Sequence, residues 1–97
     1  MKTRDEILGI LKDLLPYLED NFSVKIIGLF GSYAREEQTD TSDLDMLVEF
    51  KSPVGFFKYI ELEDYLSDKL EVKVDLVTPD ALKPMIKQNI MGDAVYA

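Results

Sequence analysis

Apolar positions recur along this chain with two different periods, and the changes of period divide it into elements. Ile7, Leu8, Leu11, Leu14, Leu15 and Leu18 return at helical spacing with charged residues between them, which predicts an amphipathic helix ending near Phe22. Thr3 with Glu6 three residues later has capping-box spacing. Pro16 falls inside the pattern, where a missing N–H and a ring clash predict a kink or a division in two. "VKIIGLF" (Val24 to Phe30) is short, β-branched and mostly apolar, so it reads as a buried strand. "GSYAREE" opens a helical turn after Gly31, and "QTDTS" is turn material. "LDMLVEF" (Leu44 to Phe50) alternates, setting Leu44, Met46, Val48 and Phe50 against Asp45, Leu47 and Glu49.

Beyond it, Ser52 and Pro53 read as an N-cap and first helical position. The helix they predict has Phe56, Phe57, Ile60, Leu66 and Leu70 as its core side. "VKVDLVT" (Val72 to Thr78) alternates again, as a third strand with Asp75 among its apolar residues. Thr78-Pro79 caps another helix, and "MIKQNIMGDAVYA" reads as a last helix with a broken end. The order helix, strand, turn, strand, helix, strand, helix predicts an α/β (α+β) domain on a three-strand core sheet.

Composition narrows what such a domain can do. At 97 residues the chain suits one domain, 1–97, with no second module to grip a large acceptor. Nineteen acids against 11 bases leave a formal charge of −8, which argues against direct nucleic-acid binding and for a cationic partner or metal-neutralised nucleotide. The absence of cysteine and histidine excludes disulfides, thiolate–zinc sites and histidine bases, so any metal would be held by oxygen, favouring Mg²⁺, Mn²⁺ or Ca²⁺. No apolar stretch is long enough to cross a bilayer, and acids stand where a signal peptide would be apolar. The expectation is a cytoplasmic protein with no membrane contact.

Three features carry candidate chemistry. Asp43 and Asp45, two apart on a strand, face the same way, and their mutual repulsion is relieved by a hard cation between them. A turn ending at Asp43, with Asp45 on a solvated strand face, is the commoner origin of such a pair taken alone. Gly31 lets the backbone approach a ligand closely, and Ser32 adds a hydroxyl at the start of a helical turn whose free N–H groups suit an anion. An ordinary strand-to-helix turn has the same residues. Asp75 is either a polar residue on an edge strand or a third carboxylate suited to two-metal phosphoryl transfer.

Together, Gly31-Ser32, a ten-residue spacer, Asp43-Leu44-Asp45 and the later Asp75 resemble the minimal nucleotidyltransferases of the DNA polymerase beta superfamily. "FGSYAR" and "SDLDMLVEF" are similar to the forms common in small prokaryotic members, and the resemblance runs to the closing "DAVYA". Glu36 departs from it, since a glycine often follows "GSxAR"; Glu36 and Glu37 either reshape the loop or lie in solvent. The resemblance implies a polymerase-beta-like fold and a toxin–antitoxin role. The chain would be the antitoxin, transferring AMP from ATP to a tyrosine of a HEPN-domain toxin encoded beside it, in a hetero-oligomer. It also implies two Mg²⁺ ions on Asp43, Asp45 and Asp75, and phosphates on Gly31 and Ser32. Arg35 either neutralises phosphate charge or forms a surface ion pair. A contact-only antitoxin and transfer to a small molecule are the alternatives. Ile86, Ile90, Met91, Val95 and Tyr96 form a stripe that suits docking or, more simply, core packing.

Overall fold

The structure, a computed structural model, describes residues 2–97. Helix α1 spans Arg4–Phe22 and starts at the capping box: the Thr3 side chain accepts from the Glu6 N–H, and the Glu6 carboxylate accepts from the Thr3 N–H. It continues through Pro16 undivided, so burial of Ile7, Leu11 and Leu18 across both halves outweighs the missing hydrogen bond. Strand β1 is Val24–Leu29, the four-residue helix α2 is Gly31–Ala34, and β2 is Leu44–Phe50. Helix α3 covers Phe56–Leu70 and β3 covers Val74–Val77. Thr78-Pro79 caps a helical segment as expected, but it is the short 3-10 helix Pro79–Ala81. Helix α4, Pro84–Asp93, and β4, Val95–Tyr96, complete the order.

The sheet has four strands in the order β3-β2-β1-β4, with β2 and β3 parallel and the other pairs antiparallel. The three expected strands are present; the expected helix end is instead the fourth. Gly28 makes β4 possible, because a Cβ there would lie 2.8 Å from both Tyr96 Cδ1 and the Val95 carbonyl. Two residues are too few for periodicity to announce a strand.

The main core lies between one sheet face and helices α1 and α3. It joins Ile7, Leu11 and Leu18 to Ile27, Leu29, Leu44, Met46, Val48, Leu62, Leu66 and Leu70. Asp45, Leu47 and Glu49 occupy the opposite face of β2. Helix α3 departs from expectation at its start. Gly55, not Ser52, is its N-cap, and Phe56, Phe57 and Ile60 are 71%, 86% and 37% exposed. The helix begins about one turn late, and its buried stripe is Leu62, Leu66 and Leu70, which keeps the expected Leu66 and Leu70 and leaves out both phenylalanines and Ile60.

Helix α3 also seals an edge. The Val74 N–H donates to Ser67 Oγ at 3.0 Å, and the Leu76 N–H donates to Glu63 Oε2 at 3.0 Å. The Tyr59 hydroxyl donates to the Leu76 carbonyl. Residues 59, 63 and 67 lie one turn apart, so a single helix stripe satisfies the outward groups of β3. By contrast α4 fully buries none of its ten residues; of the stripe expected there, Val95 packs against the core and Ile90 is half-buried, while Ile86, Met91 and Tyr96 are exposed.

Candidate active site

The parallel register of β2 and β3 sets Asp45 beside Asp75 and Leu44 beside Val74. Register partners share a face, so both carboxylates lie on the side of the sheet away from α1 and α3. Asp45 is half-buried, whereas Asp43, two residues earlier, and Asp75 are exposed. The Asp43 carboxylate lies 4.0 Å from Lys73 Nζ. Among the described residues, no three acidic side chains meet closely enough to form a finished metal cage.

The carboxylates nonetheless share one electrostatic environment. Burial pushes the Asp45 carboxyl above the ordinary carboxylate range, the charges of Asp75 and Asp43 push it further, and the Arg35 guanidinium pulls it back. A half-buried carboxylate with two negative neighbours and one partial counter-charge fits a hard divalent cation. The donors are all oxygens, and the ion would relieve the repulsion that raises Asp45.

Gly31 closes the other side. The Phe30 N–H donates to the Asp45 carbonyl at 3.0 Å, joining the end of β1 to β2. The chain then turns at Gly31 with φ +71°, and a methyl group there would overlap the Asp45 carboxylate. Only glycine accepts both the dihedral and the approach. Helix α2 starts at this residue, and Ser32 follows half-exposed in its first turn, where N–H groups lack intrahelical partners. Arg35 has two surface ion pairs, to Glu37 at 3.2 Å and to Asp93 at 3.7 Å, besides its influence on Asp45.

Glu36 adopts φ +59°, the left-handed conformation that favours glycine. This explains why a glycine suits the position. Glu36 and Glu37 are exposed, in ion pairs with Arg4 and Arg35.

Phe30, Gly31, Arg35, Asn89, Ile90 and Asp93 line a cleft of about 280 Å³ between the Gly31 turn and α4. Asn89 and Asp93 did not stand out in the sequence. Their four-residue spacing puts them on one helix face, but nothing local says what that face meets.

The nucleotidyltransferase domain model matches residues 6–97. A provisionally named protein adenylyltransferase of Methanocaldococcus jannaschii is 52% identical over 97 residues, 99% of each chain. Protein adenylyltransferase MntA of Thermococcus cleftensis is 42% identical over 96 residues, covering 99% of this chain and 97% of that protein. Among solved structures, a provisionally identified minimal nucleotidyltransferase superposes with TM-score 0.82 at 26% identity, over 97% of this chain and 95% of that one. A toxin–antitoxin complex with AMP-PNP superposes with TM-score 0.72 at 27% identity, over 88% of this chain and 69% of that one.

Proposed function

The chain belongs to the nucleotidyltransferase domain family, and from that premise we propose that it is an antitoxin that transfers AMP from ATP to a tyrosine hydroxyl of a HEPN-domain toxin encoded beside it. The observation that carries the reading is the Asp45–Asp75 register pair, with Gly31 packed against the Asp45 carboxylate. Relatives along the full length are protein adenylyltransferases, and the likeness to a toxin–antitoxin complex with AMP-PNP supports both the nucleotide and the type of partner.

Asp43, Asp45 and Asp75 would hold two Mg²⁺ ions, which when bound neutralise phosphate charge and acidify the acceptor hydroxyl. The Gly31-Ser32 turn holds the outer phosphates through backbone N–H groups and the Ser32 hydroxyl. Arg35 exchanges a surface carboxylate for a phosphate oxygen, as its neighbours Glu37 and Asp93 compete only weakly in water. Asp75, the most open of the strand carboxylates, assists removal of the acceptor proton. The tyrosine oxygen then forms a bond to the α-phosphorus, the α–β phosphoanhydride bond breaks, and pyrophosphate departs with its electron pair.

The test is transfer of α-labelled AMP to the purified HEPN-domain protein with Mg²⁺, read also as a gain of AMP in intact mass. Native chain should label the partner. Asp43→Asn and Asp45→Asn should reduce labelling at least about a hundredfold, the scale on which one electrostatic group acts. Undiminished labelling by both variants rejects the assignment. Neutralisation of the toxin without labelling makes the chain a contact-only antitoxin.

A further inference from the structure

In the cleft between the Gly31 turn and α4, Gly31 and Arg35 have roles toward phosphate, but the other four lining residues have none in phosphate or metal chemistry. Phe30 and Ile90 are apolar, Asn89 offers an amide, and Asp93 offers a carboxylate. Gly31 belongs both to this cleft and to the contact with Asp45, so a ligand whose phosphates lie on the turn extends into the cleft. Its volume of about 280 Å³ is just below the roughly 300 Å³ at which drug-sized pockets begin, a size for one nucleoside and not for a larger ligand. The wall that supplies Asn89, Ile90 and Asp93 buries nothing in the core, so core packing does not account for those residues.

We propose that this cleft is the nucleoside pocket, with Phe30 and Ile90 against the base, Asn89 reading the adenine edge and Asp93 accepting from the ribose hydroxyls. The proposal rests on the nucleotide-transfer reading and adds where selectivity for the base resides. An Asn side chain matches adenine with one donor and one acceptor and mismatches guanine. A carboxylate is the usual partner of ribose hydroxyls in nucleotide sites. Asp93 also pairs with Arg35 at 3.7 Å, so the residue at the sugar end is linked to the one nearest the phosphates.

Titration calorimetry with Mg²⁺ and three probes, AMP-PNP, GMP-PNP and inorganic tripolyphosphate, tests this. Native chain should bind AMP-PNP about tenfold or more tighter than either of the others, the discrimination expected of a bidentate amide. Asn89→Ala, a change at an exposed position, should erase the preference over GMP-PNP and leave tripolyphosphate affinity unchanged. Asp93→Asn should lose affinity for AMP-PNP but not for its 2′,3′-dideoxy analogue. An Asn89→Ala chain that keeps the full preference overturns the pocket while nucleotide transfer stands. A native chain that binds none of the three probes overturns the nucleotide reading and the pocket with it.

Discussion

At the scale of single residues, Gly31 and Asp45 constrain one another. Gly31→Ala should destabilise the fold by roughly 2 kcal/mol or more, because it adds left-handed strain to an overlap with the carboxylate. Denaturant midpoints measure it, and a loss below about 0.5 kcal/mol would mean the turn relaxes freely. For Asp45 the sign runs with pH. Its carboxyl is held high by burial and then by Asp75 and Asp43, so the fold favours the protonated form. That contribution is complete below the ordinary carboxylate range and lost as pH rises through the raised value. In chelator, Asp45→Asn should therefore melt above the native chain at neutral pH, by less than about 1 kcal/mol since solvent screens the half-buried charge. The gap should vanish by about pH 3. Thermal melts across that range decide it, and a constant gap would remove the electrostatic explanation.

At the scale of elements, the cover that α3 gives to β3 is a set of side chains, not a strand. Glu63→Ala leaves the Leu76 N–H without its acceptor and should cost about 1–2 kcal/mol. Glu63→Gln keeps an acceptor oxygen and should cost less than half as much. Chemical denaturation of the pair measures this, and equal losses would assign the effect to charge instead of the hydrogen bond. The same helix shows how much of an element local pattern conveys. Leu66 and Leu70 stood out as core and are buried, but Phe56 and Phe57, in the first turn after the cap at Gly55, are exposed. At about 100° per residue Phe57 falls opposite Leu62, Leu66 and Leu70, so a large apolar side chain marks a buried face only where it fits the period of the others. The β2 boundaries, Leu44–Phe50, were legible because apolar Leu44, Met46, Val48 and Phe50 recur at every second residue, although Leu47 on the other face is buried too. The two-residue β4 was not, since its existence depends on Gly28 leaving room for Tyr96.

At the scale of the whole molecule, the charge of −8 and the shared carboxylates make stability sensitive to divalent ions. Mg²⁺ at ten times its dissociation constant should add about 1.4 kcal/mol, or about 6 °C in melting temperature for a domain of this size. Asp43→Asn with Asp45→Asn should abolish that rise, and scanning fluorimetry with and without chelator reads it. An equal rise in the double variant would place the ion elsewhere. Among the described residues, no helix is long and apolar enough to cross a membrane.

Strand and helix order, the chemistry of the donors and the turn that carries Gly31 are all local properties. Period, side-chain type and backbone freedom act over a few neighbouring residues, so a linear reading reaches them. Which carboxylates become neighbours is not local. Asp45 and Asp75 are thirty positions apart, and the parallel register of two strands joins them. The same holds for the cleft, since Asn89 and Asp93 meet Gly31 only because α4 and β4 return the chain to β1. Packing across distant segments sets that meeting, and no short window of residues contains it.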